Sequence, residues 1–208
     1  MYTMKFIKKI INYIKNFLTN WKNFNRIKHI QKHTILLKNE KKSDINRWKN
    51  SNELFEDWNQ RTSILGSYVS PGSKVIEFGS GTMSLKAALP ENCTYTPSDI
   101  VKRTQETLVC DLNEPISFDL SVYDTAVFSG VFEYVYDIDL VFKQLEKHID
   151  HLILSYACSD VCTHNRLING WLSDFTEKQL LDIFAKNNYE VIDKQEWRQQ
   201  TIFNLHKK

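Results

Sequence analysis

The segment Val75-Ile76-Glu77-Phe78-Gly79-Ser80-Gly81-Thr82 constrains this chain more than any other. Apolar Val75, Ile76 and Phe78 read as a buried strand carrying an acid near its end, the glycines as a turn, and Thr82 as the opening of a short helix over 83–89, stopped by Pro90. Glycine has no Cβ, so the backbone can turn sharply and a ligand can approach the main chain, while a helix that follows would offer unpaired N–H groups. Glu77, at the carboxyl end of the strand, is set to meet a polar or positively charged end of such a ligand. Taken alone, the pattern also fits a strand-to-helix turn that binds nothing, so the rest of the chain must decide.

Downstream the same grammar repeats. A second strand over 94–98 ends in Asp99, 20 positions after Gly79, where dinucleotide and nucleoside folds hold an acid against ribose hydroxyls; an ordinary turn aspartate is the alternative. Thr107 to Cys110 is a third short strand, ending at Asp111 before the polar turn Leu112-Asn113-Glu114-Pro115. Asp124 to Phe128 is a fourth, running into Ser129-Gly130. Asp137 caps a helix whose inward side carries Ile138, Val141, Phe142, Leu145 and Ile149, and His151 to Tyr156 is a fifth strand. Thr176 and Gln179 fit a capping box for the next helix, and two β-like segments, 189–197 and 201–206, finish the chain. Strands alternating with helices imply an α/β fold with a doubly wound, mostly parallel sheet and a late antiparallel edge strand.

Charge divides the chain. Residues 1–49 carry 13 Lys and Arg against Glu40 and Asp44, a net of +11, whereas the remainder is −9. This reads as a basic arm (1–49) on an acidic domain (50–208), the boundary falling near 44–50. Within the arm, Phe6, Ile7, Ile10, Ile11, Ile14, Phe17, Leu18 and Trp21 fall in an arc of roughly 140° at ~100° per residue, opposite a lysine-rich face. Residues 4–22 are thus an amphipathic helix that suits either reversible contact with a membrane surface or packing on protein. Lysines interrupt every apolar run well short of the ~18 residues a membrane span needs, and they argue equally against a cleaved leader. A second helix is expected from Asn52, with Leu54, Phe55, Trp58 and Leu65 on one side. The four cysteines form no C-x-x-C and suggest reduced thiols in a cytoplasmic protein; Cys158, Cys162 and His164 resemble a metal site only loosely.

Together, the Val75–Thr82 segment, Asp99, Cys110-Asp111-Leu112 and Asp124-Thr125-Ala126-Val127-Phe128-Ser129-Gly130 resemble, in order and spacing, the successive motifs of class I S-adenosylmethionine-dependent methyltransferases. The resemblance covers residue 52 to the C-terminus. It implies a seven-stranded, Rossmann-like sheet with S-adenosylmethionine across the carboxyl ends of the first strands. Gly79, Ser80 and Gly81 would lie against its methionine and sugar, Glu77 near its amino group, Asp99 on the ribose, Asp111 and Leu112 at the adenine, and Ser129 close to the sulfonium. One departure is the seven-residue interval from Ile100 to Glu106, where the family has a full helix.

The implied activity is methyl transfer to a small molecule or a glycan or lipid precursor. No Asn-Pro-Pro-Tyr motif follows the fourth strand, and the acidic body would repel polyanions, so nucleic acid is disfavoured as acceptor. Residues bordering the acceptor side are Glu133, Tyr134, Tyr156, His164 and Arg166, none of which is singled out as a catalytic base. A nicotinamide dehydrogenase is disfavoured because Ser84 stands where G-x-G-x-x-G needs its third glycine. A non-catalytic cofactor-binding module recruited by its arm is the alternative from another class.

Overall fold

The computed structural model describes residues 2–208, with the side chains of residues 1–14, 16 and 20 outside the description. The helix expected over 4–22 is part of a longer one, α1 (Tyr2–Glu40). The side chains of Phe6, Ile7, Ile10, Ile11 and Ile14, which head the expected apolar arc, lie outside the described residues. A short helix α2 (Ile45–Trp48) follows, its first turn capped by the Asp44 carboxylate, which accepts from the Arg47 N–H at 3.1 Å.

The helix expected from Asn52 begins only at Asn59: two 3-10 turns, Ser51–Glu53 and Glu56–Trp58, lead into α3 (Asn59–Ser67), which carries the expected Leu65. Phe55 and Trp58 pack edge to face, their centroids 5.0 Å apart. These rings line an opening in the domain, as described below.

The domain is built on β1 (Lys74–Phe78), β2 (Thr94–Asp99), β3 (Leu108–Val109), β4 (Thr125–Phe128), β5 (His151–Tyr156), β6 (Tyr189–Trp197) and β7 (Gln200–Lys207), with α4 (Ile138–Leu145) and α5 (Glu177–Lys186) as crossovers. The sheet order is β3-β2-β1-β4-β5-β7-β6. The pairs from β3 through β5 are parallel, and β7 runs antiparallel to both β5 and β6. The late edge is therefore the terminal hairpin, with the reversed strand β7 one place in from the margin.

Both faces of the sheet are covered, as period-2 alternation requires. Ile76 and Phe78 of β1, Ala126 and Phe128 of β4, and Leu152 and Leu154 of β5 face the larger core with α4 and α5. Val75, Val127, Ile153 and Ile202 face the smaller one with Leu65 of α3. The larger core contains a run of rings: Phe78 on Phe128 at 4.8 Å, Phe128 on Phe132 at 4.4 Å, Phe132 on Phe142 at 5.6 Å and Phe142 on Phe184 at 5.2 Å. α4 and α5 start where their caps dictate. Asp137 accepts from the Leu140 N–H, and Thr176 with Gln179 forms the expected capping box.

Between β1 and β2 there is only a 3-10 turn, Ser84–Ala88, and the interval from Ile100 to Glu106 is a loop. Strand order reverses between β1 and β4. That topological switch point opens a crevice outside the carboxyl ends of the central strands.

Candidate functional site

A cleft enclosing about 1060 Å³, its open mouth included, lies at this switch point. Its floor is the end of β1 and the turn after it: Glu77, Phe78, Gly79, Ser80, Gly81 and Thr82. Asp99, Asp111, Leu112 and Ser129 also line it, so all eight residues singled out from the sequence border one space.

The turn is shaped by left-handed backbone. Gly79 has φ +68° and Gly81 +48°, where an L side chain is strained. At Gly79 a Cβ would lie 2.5 Å from Val131 Cγ2, so space as well as φ demands glycine. At Gly81 the nearest side-chain atom to an added Cβ would be Leu54 Cδ2 at 3.5 Å, and the constraint there is the dihedral. Met83 is also left-handed, at φ +59°. This shortens the helix expected to open at Thr82 to a 3-10 turn that begins at Ser84.

The N–H of Gly81 donates to Asp99 Oδ2 at 2.9 Å, closing the turn onto the end of β2. Asp99 Oδ1 accepts from the Val101 N–H at 2.9 Å and faces Arg103 at 3.3 Å. A carboxylate has about four acceptor positions, so Oδ2 keeps capacity for a ligand hydroxyl. Asp111 Oδ1 accepts from the Ser43 hydroxyl at 2.7 Å and the Asn113 N–H at 3.0 Å. Ser129 Oγ accepts from Arg61 Nε at 3.0 Å and shares a hydrogen bond with Thr62 Oγ1 at 2.8 Å, so its hydroxyl is engaged with α3.

Glu77 is 2% exposed. Burial pushes its carboxyl up to about 8; the Tyr95 hydroxyl, donating at 2.5 Å, opposes the shift and nearby Asp99 adds to it. A buried carboxyl held this high releases its proton when a cation comes to lie against it. Two further polar atoms of the cleft wall, Ser80 Oγ and Arg103 Nε, are buried without a partner among the described residues. Unpartnered buried donors are costly unless something meets them, and a polar ligand in the cleft can do so.

Several lining residues carried no signal in the sequence that pointed to the site. Ser43, Asp44 and Trp48 reach the cleft from the segment after α1, and Leu54, Phe55 and Trp58 from the 3-10 turns, giving one wall an aromatic character. Arg61, 5% exposed, donates to the Ser129 carbonyl at 2.9 Å and to Gln200 Oε1 at 2.9 Å, with its guanidinium pressed over Gly130. Desolvation lowers its pKa and the charge of Glu133 opposes that shift.

Of the five residues considered for the acceptor side, Tyr134 alone lines the cleft, its ring edge to face with Trp48 at 4.8 Å. Glu133 is buried, and its Oε1 accepts from the Ala157 N–H at 2.9 Å. Arg166 donates to the Ala157 and Ser173 carbonyls and, at 3.0 Å, to the Tyr156 hydroxyl, whose pKa burial pushes up to about 12. These three anchor the loop after β5. His164 is exposed, while Cys158 and Cys162 are buried, and among the described residues no group of three potential ligands gathers around a metal site.

No family model and no curated protein sequence matches this chain. Solved structures share its fold. The 1,6-didemethyltoxoflavin-N1-methyltransferase of Burkholderia thailandensis, determined with 1,6-didemethyltoxoflavin and S-adenosylhomocysteine, aligns at a TM-score of 0.61 and 14% identity over 85% of this chain and 89% of that one. The mitomycin 7-O-methyltransferase MmcR aligns at 0.60 and 14% over 90% of this chain and 68% of its own. The [4+2]-cyclase SpnF aligns at 0.53 and 13% over 66% and 58%. Identities this low speak for the fold. With a cyclase among the neighbours, the reaction has to be argued from the site.

Proposed function

On the class I methyltransferase fold that this chain has, we propose that it is an S-adenosylmethionine-dependent methyltransferase acting on a small molecule or on a glycan or lipid precursor. One observation carries the reading: acids from the ends of three consecutive strands, Glu77, Asp99 and Asp111, share a single cleft with the Gly79–Gly81 turn. The 1,6-didemethyltoxoflavin-N1-methyltransferase, which shares this fold, was determined with S-adenosylhomocysteine and 1,6-didemethyltoxoflavin bound.

The residues fit that cofactor. Glu77 can meet its ammonium group, Ser80 Oγ can donate to its carboxylate, Asp99 Oδ2 can accept from a ribose hydroxyl, and Asp111 with Leu112 can flank the adenine. When bound, S-adenosylmethionine supplies an electrophilic methyl on a sulfonium. The remaining work is alignment and exclusion of water. Trp48, Leu54, Phe55, Trp58, Tyr134 and Leu172 form the apolar wall that does both, and they suit a planar or apolar acceptor better than a polyanion. Arg61 holds Ser129 and its carbonyl in place at the end of β4, keeping the rim beside the acceptor rigid.

Calorimetry with S-adenosylhomocysteine tests the reading. The folded protein should bind it and ignore nicotinamide dinucleotides. Asp99→Ala should weaken binding by about 1.5–3 kcal/mol, and Gly79→Val should abolish it because a side chain there collides with Val131. Absence of heat with both S-adenosylhomocysteine and S-adenosylmethionine, from protein whose circular dichroism is native, would refute the assignment. For the acceptor, isotopically labelled methyl donor should mark small-molecule extracts and leave bulk RNA and DNA unlabelled.

A further inference from the structure

We propose that α1 lies flat on an anionic lipid surface, with the domain docked on its opposite side. The helix meets the domain through one face: Thr34 is 2% exposed and its hydroxyl reaches the Leu167 carbonyl at 2.9 Å, while Ile30 and Leu37 beside it are half-buried. At the end of the helix the contact continues, the Tyr136 hydroxyl lying against the carbonyls of Leu37, in its last turn, and Lys42, just beyond it, at 2.7 Å each.

Most of the exposed large apolar side chains are elsewhere, Ile27 at 37% exposure being the one near the docking face. Phe17 is 61% exposed, Trp21 57% and Phe24 53%, with Leu18, Ile35 and Leu36 exposed as well. At ~100° per residue, Phe17, Leu18, Trp21, Ile35 and Leu36 share one side, and Ile30, Thr34 and Leu37 lie roughly opposite. The domain therefore does not cover this stripe; it holds the helix with the stripe turned away.

Charge decides between lipid and a second copy of the chain. The helix carries nine Lys and Arg and one acid, a net of +8. Lys15 and Lys22 flank the stripe, and Lys28 and Lys32 lie within it, between Phe24 and Ile35. Two helices meeting stripe to stripe would bring these like charges together, whereas anionic headgroups meet them with opposite charge and the acyl boundary takes the rings. The acidic body, net −9 over residues 50–208, stands off from the lipid by a helix diameter of ~10 Å, more than a Debye length of ~8 Å at physiological salt, so its repulsion is screened. Among the described residues no helix is long and apolar enough to cross a membrane, so the helix lies on the surface. Nothing in this argument uses the cleft, so it stands or falls apart from the proposed activity.

The test is co-sedimentation of the full-length protein with phosphatidylcholine vesicles, with and without phosphatidylserine. Binding should require phosphatidylserine and fall with added salt. It should be lost in the double variant Phe17→Ser, Trp21→Ser. Combining Lys15→Gln, Lys22→Gln and Lys28→Gln should weaken it by on the order of 100-fold at low salt. The docking face is untouched in both variants, so native circular dichroism and unchanged binding of S-adenosylhomocysteine, if the wild type binds it, guard against misfolding. Three results would overturn the proposal: wild-type protein left in the supernatant at low salt, equal binding to phosphatidylcholine alone, or a lipid-free dimer by light scattering that the Phe17, Trp21 variant makes monomeric.

Discussion

The crossovers from β4 to β6 contain capped α-helices with apolar inner faces, whereas those joining β1 to β4 are a 3-10 turn and two loops. In the first half, order comes from burial: Phe142, Phe184 and Phe203 are each no more than 1% exposed and touch one another's neighbours in a continuous core. In the second, order comes from polar contacts. Loops lack a helical ladder for their N–H groups, so side chains must take them. Asp99 takes those of Gly81 and Val101, Thr107 Oγ1 that of Thr104 at 2.9 Å, and Asn113 Oδ1 that of Tyr136 at 2.8 Å. The crossovers from β1 to β4 are thus held largely by directional bonds and present polar atoms to the cleft at fixed positions, while the other half supplies most of the apolar mass and, through Tyr134 and Leu172, part of the cleft wall.

If that division is right, mutations should separate stability from binding. Phe184→Ala, deep in the apolar half, should cost the most, about 3–5 kcal/mol in denaturant unfolding, yet leave cofactor affinity unchanged in protein that remains folded. A large loss of affinity in folded Phe184→Ala protein would break the comparison.

Glu77 gives the next effect, and it depends on pH. Its carboxyl ionises near the ordinary 4.5 in the unfolded chain and near 8 when buried in the ligand-free fold. Between those values the native state holds a proton that the unfolded state has released, so stability is full below about 4.5 and falls as pH rises through about 8. Glu77→Gln should flatten that slope, which is on the order of a few kcal/mol across the window. Urea melts at pH 5 and pH 8 would check it; parallel curves for wild type and variant would remove Glu77 from the account. Binding of a cationic ligand against Glu77 should also release a proton, visible as buffer-dependent heat that disappears in Glu77→Gln.

The smallest effect belongs to the cap of α5. Thr176→Ala removes the hydroxyl that accepts from the Gln179 N–H and should lower stability by about 1 kcal/mol with no change in ligand affinity. A thermal melt sharpens the comparison here: a cap in the apolar half should act on stability alone.

Much of this was legible beforehand wherever a local pattern dominates. A short apolar run gave β5 at His151–Tyr156, the β-like segment at 189–197 gave β6, and Thr176 with Gln179 marked the start of α5. The strand-end acids were legible because a buried strand running into Glu77, Asp99 or Asp111 has few places to put a carboxylate except at its mouth. The helix expected over 83–89 came out as a 3-10 turn, Ser84–Ala88, entered through Met83 in a left-handed conformation that no residue pattern announces. Arg61 was illegible for a different reason: its partners Ser129 and Gln200 lie 68 and 139 positions away.

The sequence by itself determined the period of each element, the glycine turn and the division of charge between arm and body, since each depends on residues within a few positions of one another or on composition alone. Only the tertiary structure decided that Ser43, Trp48 and Phe55 wall the cleft and that α1 docks through Thr34 with its rings turned outward. Those outcomes depend on how the loops that replace helices route the chain, and on which of two helix faces finds complementary backbone, neither of which a local pattern of apolar and polar residues specifies.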